Sequence, residues 1–143
     1  MDCDVARFAA TLVNAMADAV IYADAQGIVR FWSPGAERMF GFARAEAVGQ
    51  SLDIIIPQNL RQRHWDGFNE TVRTGRSRYQ SGSVLAVPAS RKDGSRISVE
   101  FTTVPFHDDA ERMAGIAVVM RDVTERFEEM KALRKAAAKT MQS

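Results

Sequence analysis

The stretch that decides the fold is AVIYADAQGIVRFWS, residues 19–33. Residues 19–23 and 28–32 are mostly apolar or aromatic, a pattern that predicts two short strands. The turn between them is Asp24-Ala25-Gln26-Gly27, in which the glycine is free to take a positive φ. Ser33 precedes Pro34, which predicts a helix start because serine caps free amides and proline suits the first turn. The stretch therefore predicts a β-hairpin that runs directly into a helix.

Further helices are predicted on both sides of this hairpin. Upstream, residues 3–17 carry apolar side chains three and four positions apart, which predicts an amphipathic helix. Downstream, the helix that follows Ser33 stops at Gly41, and a longer helix fits residues 58–74, with Gly75 as its C-terminal stop. One face of this longer helix carries side chains at four-residue steps, namely Leu60, His64, Phe68 and Val72.

Three more strands are predicted over residues 78–89, 95–106 and 112–122. The tight turn Arg91-Lys92-Asp93-Gly94 and the polar loop His107-Asp108-Asp109 separate them. Alternate residues of the middle strand are apolar, which predicts one buried face formed by Ile97, Val99 and Phe101. Five antiparallel strands with helices packed on one face make an α+β fold.

The last segment, residues 123–143, is rich in Glu, Lys, Arg and Ala and contains neither Gly nor Pro. It predicts a helix that extends beyond the globule. Its apolar residues form a narrow stripe that suits a partner helix: Phe127, Met130, Leu133, Ala137 and Met141. Two interpretations stay open, a seam between two copies of the chain and a tail that packs on its own sheet.

Composition excludes several classes of protein. With 143 residues, 46% hydrophobic and 26% charged, the chain is of ordinary globular composition and fits one domain. Its net charge of +1 gives no reason to expect a nucleic acid or an anionic membrane as partner. Its apolar runs are far shorter than a membrane span, and the single Cys3 cannot form an internal disulfide. We therefore expect a cytoplasmic protein.

The order of elements, together with six short motifs, resembles the PAS family of sensor domains. The motifs span about residues 14 to 126 and read AVIYADAQG (19–27), VRFWS (29–33), AERMFGF (36–42), AVGQ (47–50), RKDG (91–94) and RDVTER (121–126). The resemblance implies a PAS fold with a sensor domain over residues 18–122. It also implies flanking helices over residues 1–17 and 123–143. The segment Asp122-Val123-Thr124-Glu125-Arg126 resembles the family's exit motif, which passes ligand-induced strain in the sheet to the helix that follows, called the exit helix.

The resemblance implies a sensing or dimerisation module rather than an enzyme. Flavin-binding relatives carry a cysteine in an Asn-Cys-Arg-Phe-Leu-type motif after the second strand, and this chain has neither the motif nor an internal cysteine. No flavin is therefore expected.

His64 is the candidate metal ligand. The motif Arg63-His64 after Ile55-Ile56-Pro57 is similar to the haem-binding PAS domains of oxygen-sensing kinases, in which a histidine on this helix binds the iron. A neutral imidazole on a rigid helix suits haem iron, and an apolar pocket suits the macrocycle. The resemblance thus implies haem b held by His64. The alternative is a histidine that is simply packed, as a lone histidine on a helix usually is.

The rest of the expected haem site is assigned by the same resemblance. Val99 and Phe101 would contact the cofactor, while Arg73 and Tyr79, with Arg78, would face its propionates or else be solvated loop residues. The oxygen-sensing kinases place an arginine where this chain has Leu85, and an apolar wall donates no hydrogen bond to bound oxygen. The expected signal is therefore CO, NO or a redox change.

The sequence is compatible with two functions. The first is a stand-alone sensor that binds haem and a diatomic gas and relays the signal through its exit helix to a separate effector protein. The second is a cofactor-free module for dimerisation or protein interaction. A homodimer through the flanking helices is expected in both cases, and no catalytic constellation is found.

Overall fold

The structure is a computed structural model that describes residues 4–75 and 86–142. Within these residues the strands form one antiparallel five-stranded sheet, in the order β2-β1-β5-β4-β3. The elements are α1 (Val5–Ala15), β1 (Ala19–Asp24), β2 (Val29–Trp32), α2 (Pro34–Phe40), α3 (Arg44–Ala47), the 3₁₀ turns Leu52–Ile55 and Gln58–Leu60, α4 (Arg61–Thr74), β3 (Val87–Ser90), β4 (Arg96–His107), β5 (Met113–Asp122) and α5 (Thr124–Gln142). The expected α+β architecture is confirmed.

The predicted hairpin is present, and Asp24 organises its turn. Its carboxylate accepts hydrogen bonds from the backbone N–H of Gln26 and of Ile28, both at 3.0 Å, and from Nε of Arg30 at 2.9 Å. Burial alone would raise the pKa of Asp24, but these hydrogen bonds outweigh it and lower that pKa. Gly27 closes the turn with a φ of +80°, a conformation that side chains with a Cβ disfavour.

The predicted helix start at Ser33 is also confirmed. The Ser33 hydroxyl accepts hydrogen bonds from the backbone N–H of Ala36, at 3.2 Å, and of Val20, at 2.9 Å. Because Val20 lies in β1, this buried serine caps α2 and fixes it against the neighbouring strand. The helix ends at Gly41, which adopts a left-handed conformation.

The core lies on one face of the sheet, beneath the helices. Ile21 and Trp32 of the hairpin and Val99 of β4 are almost fully buried, as is Phe40 of α2. Phe68 of α4 and Leu52 and Ile55 of the 3₁₀ turn join the same cluster. The opposite sheet face is more open, since Val104 and Phe106 of β4 are 47% and 48% exposed.

Some boundaries differ from the predicted ones. The helix predicted over residues 58–74 begins as a 3₁₀ turn and becomes α-helical at Arg61, where no side chain caps it. His107 is the last residue of β4 rather than a loop residue, because the strand continues past a bulge at Phe106. Most of the strand predicted over residues 78–89 lies outside the described residues, and β3 begins at Val87.

Along residues 4–75 and 86–142, none of the helices combines the length and the apolar character that crossing a lipid bilayer requires.

Candidate functional site

His64 lies on the inner face of α4, where the four-residue spacing predicted it. Its side chain is partly buried, and its ring lies between two aromatic neighbours on the same helix. The ring centroid of Trp65 is 4.8 Å away at an interplanar angle of 75°, and that of Phe68 is 6.0 Å away at 33°. Phe68 belongs to the apolar core, so the partly buried His64 ring lies at the edge of that core.

One imidazole nitrogen of His64 has no hydrogen-bond partner. Its Nδ1 is buried and accepts or donates no hydrogen bond among the described residues. Burial lowers the pKa of His64 below its ordinary value of 6.5, and the carboxylate of Asp53 opposes this shift only in part. The imidazole is therefore neutral near pH 7, which is the form that binds metal ions.

Trp65 and Asp53 are neighbours of His64 that sequence reasoning did not assign to the site. The indole Nε1 of Trp65 donates a 2.7 Å hydrogen bond to Oδ1 of Asp53. The sequence predicted only that Trp65 is a packing residue, and an Asp–Trp pair twelve positions apart gives no signal of its own. The structure brings the two together because the 3₁₀ turn Leu52–Ile55 lies against the first turns of α4.

The other predicted cofactor contacts are only partly within the described residues. Val99 of β4 is 1% exposed and belongs to the same core cluster as Phe68, while Phe101 is partly buried opposite Met120 of β5. Arg73 lies in the last turn of α4 with an exposed side chain. Leu85, Tyr79 and Arg78 lie outside the described residues.

Residues 4–75 and 86–142 contain no group of three or more His, Cys, Asp or Glu side chains placed to hold a metal ion together. The acidic pair that follows His107 forms a turn, as predicted, since Asp108 accepts hydrogen bonds from the backbone N–H of Ala110 and of Arg112, both at 2.9 Å. This carboxylate is thus occupied in closing the turn between β4 and β5.

The exit motif connects the sheet to α5 through a compact set of contacts. Asp122 accepts hydrogen bonds from the backbone N–H and the hydroxyl of Thr124, at 2.9 Å and 2.6 Å. The Thr124 hydroxyl oxygen in turn accepts from the N–H of Ser98 on β4, at 2.9 Å. Val123 is 7% exposed, and its N–H donates to the Ser98 carbonyl at 2.8 Å. The first turn of α5 is therefore fixed to the strand that also carries Val99.

Two curated bacterial sensor proteins are similar in sequence to part of this chain. The sensor protein FixL of Bradyrhizobium diazoefficiens is 34% identical over 97 residues, which cover 68% of this chain and 18% of FixL. The oxygen sensor protein DosP of Escherichia coli is 33% identical over 73 residues, which cover 51% of this chain and 9% of DosP. The chain therefore spans less than a fifth of the length of these relatives.

Solved structures share the fold at lower identity. A PAS domain from Colwellia psychrerythraea superposes with a TM-score of 0.74 at 21% identity, covering 85% of this chain and 99% of that one. An RNA-binding light-oxygen-voltage receptor gives a TM-score of 0.74 at 20% identity, covering 94% of this chain and 37% of that one.

The family assignment rests on the whole of the sheet and the helices that cover it. The family model described as the PAS fold matches residues 7–123, from within α1 to the start of the exit helix. This range contains the hairpin, the His64 helix and the exit motif. The chain belongs to the PAS family of sensory domains.

Proposed function

We propose that this chain is a cytoplasmic sensor module that binds haem b through His64 and responds to a diatomic gas or to a change of redox state. The observation that carries the proposal is the buried Nδ1 of His64, which has no partner among the described residues. Because no described residue forms a hydrogen bond with Nδ1, the neutral imidazole of His64 is free to bind a metal ion through its other ring nitrogen.

The surroundings of His64 also fit a flat apolar macrocycle. The ring lies beside Trp65 and Phe68, and Phe68 is continuous with the apolar core that includes Val99. Its lowered pKa keeps the imidazole unprotonated, so no proton has to leave before a metal binds. The similarity to a protein named as an oxygen sensor supports a gas as the signal.

In this proposal, haem supplies an iron centre that takes up a gas or changes its oxidation state, and the chain supplies the environment. His64 would hold the iron, while Val99 and Phe101 would bury the macrocycle. Arg73, exposed in the last turn of α4, would pair with the propionates, and so would Tyr79, which lies outside the described residues. Leu85, which lies outside the described residues, would donate no hydrogen bond to a bound gas because its side chain is apolar, so CO, NO or a redox change is favoured over stable oxygen binding.

The output of the proposed sensor is the exit helix. Phe127, Met130 and Leu133 of α5 are 42%, 48% and 65% exposed, so the described part of the chain leaves this stripe largely uncovered. Val5, Phe8 and Leu12 of α1 are also exposed. We infer that the chain forms a homodimer through these flanking helices and passes its signal to a separate effector protein.

The test is a titration of the purified protein with haemin, followed by absorbance. Wild type should develop the Soret band of imidazole-ligated haem, and His64→Ala should lose it together with most of the haem affinity. His107→Ala is the matched control, because His107 is exposed at the end of β4 and should leave the spectrum unchanged. Equal affinity in wild type and His64→Ala, or no binding in either, would favour the cofactor-free module instead.

A further inference from the structure

We propose that Trp65 is the positioning residue for His64, and that Asp53 and Gly27 hold Trp65 in place; this inference rests on the proposed function. The imidazole of a metal-binding histidine is usually oriented by a hydrogen bond to its second ring nitrogen. The described residues provide no such bond to Nδ1 of His64. The orientation of the ring must therefore come from packing.

Among the described residues, the aromatic contacts of the His64 ring are with two residues of its own helix, Trp65 and Phe68. Trp65 is the nearer one, with its ring almost perpendicular to the imidazole at a centroid distance of 4.8 Å. Trp65 also meets Phe68 edge to face, at 5.2 Å and 76°. The three rings thus form one packed cluster, in which a rotation of the indole changes the space open to the imidazole.

Two contacts fix the indole itself. At one end, Nε1 donates its 2.7 Å hydrogen bond to Asp53, which precedes α4 in the 3₁₀ turn. At the other end, the six-membered ring lies directly over Gly27 in the hairpin turn, where a Cβ on Gly27 would overlap it. Trp65 therefore bridges the hairpin, the 3₁₀ turn and α4, while the N-terminus of α4 lacks a side-chain cap.

Asp53 is held in position from a second direction. Arg61, at the start of α4, donates hydrogen bonds to the backbone carbonyls of Ile56 at 3.2 Å and of Asp53 at 3.3 Å. Its Nε is also 3.9 Å from the Asp53 carboxylate. Arg61 thus holds the residue that accepts the Trp65 N–H, which gives the indole a defined position.

The experiment compares Trp65→Phe with the matched control Trp32→Phe. Trp32 is fully buried and donates its indole N–H to the carbonyl of Phe42 at 2.9 Å, but it has no ring contact with His64. Both variants lose a partly buried indole hydrogen bond and should lower the melting temperature. Only Trp65→Phe should speed haem dissociation, by about tenfold or more, and broaden the ferric electron paramagnetic resonance signal of the imidazole-ligated iron.

Variants at Asp53 separate positioning from general stability. Asp53→Asn keeps an oxygen that accepts the Trp65 N–H, so its dissociation rate and resonance signal should stay close to those of wild type. Asp53→Ala removes the acceptor and should reproduce the effect of Trp65→Phe. The double variant should be no worse than either single one, because both changes release the same indole.

The outcomes distinguish this inference from the proposed function. If wild type binds no haem, or binds it without His64, the proposed function fails and the positioning role fails with it. If His64 holds the iron but Trp65→Phe matches Trp32→Phe in dissociation rate and resonance signal, only the positioning role is overturned. If Asp53→Asn behaves like Asp53→Ala, the hydrogen bond to Trp65 is not what places the ring, and the inference fails on that ground.

Discussion

Arg126, in the first turn of α5, forms an ion pair with Glu100 on β4. The guanidinium is largely exposed and the carboxylate is mostly covered, with side-chain exposures of 62% and 23%. Ser98 on β4 also donates a hydrogen bond to Thr124. The exit helix is thus joined to β4 at the two residues that flank Val99. The start of α5 thus has two connections to β4, one neutral and one ionic.

Removing the ionic connection should loosen the exit helix without unfolding the domain. Arg126→Gln is expected to change the free energy of unfolding by less than about 1 kcal/mol, because partly exposed ion pairs contribute little. Amide exchange over residues 124–128 should nevertheless become several-fold faster, since these amides depend on local rather than global opening. Lys135→Gln, further along the exposed helix, is the control; equal exchange in both variants would contradict the role of the pair.

The apolar stripe of α5 can be tested by introducing a charge. Leu133→Asp should weaken self-association, because a carboxylate in an apolar seam loses its hydration. Ala132→Asp adds the same charge on the opposite side of the helix and should leave association unchanged. Light scattering measures the mass of each variant; an unchanged mass for Leu133→Asp would favour a tail that packs on its own sheet.

Gly94 tests the predicted turn between β3 and β4. Its φ is +87° and nothing lies within 4 Å of a Cβ placed there, so a substitution meets backbone strain rather than a clash. Gly94→Val should therefore cost about 1 kcal/mol of stability or somewhat more, and Gly94→Asn should cost less because asparagine tolerates this conformation. Thermal unfolding decides the matter, and equal melting temperatures for the two variants would contradict the strain.

The buried imidazole of His64 predicts a dependence of stability on pH in the protein without haem. Because burial lowers its pKa in the folded state, the unfolded chain binds the proton more readily, and stability falls as the pH drops below about 6.5. His64→Gln should lose less stability than wild type between pH 7 and the lowered pKa. Identical pH profiles for wild type and His64→Gln would refute the burial of His64.

The sequence predicts the fold well because its signals are local. Ser33 before Pro34 and the glycines at 27, 41, 75 and 94 each mark a boundary through backbone chemistry, and the structure has a helix end or turn at each of them. The position of His64 follows from the helical repeat in the same way. Local residue preference and local geometry are sufficient for these features.

The surroundings of His64 could not be read from the sequence because they depend on tertiary contacts. The hydrogen bond from Trp65 to Asp53 connects α4 with a 3₁₀ turn. The contact of the Trp65 ring with Gly27 connects α4 with the hairpin. Neither pairing leaves a spacing pattern in the chain. The start of α4 at Arg61 was also not predicted. The residues before it, Gln58–Leu60, form a 3₁₀ turn, and the spacing of apolar residues does not distinguish a 3₁₀ turn from the first turn of an α-helix.

The sheet order places the first strand of the chain beside the last one. Ala19 at the start of β1 pairs with Met120 near the end of β5, and Arg121 contacts Asp18 at 3.3 Å, so α1 and α5 leave the sheet from the same end. Tension applied between these two helices would open the ladder between β1 and β5 one hydrogen bond at a time, like a zipper, rather than shear all of its bonds at once. We therefore expect the domain to resist a pull along the line that joins its flanking helices less than a pull that shears the same ladder, and separation would begin between β1 and β5.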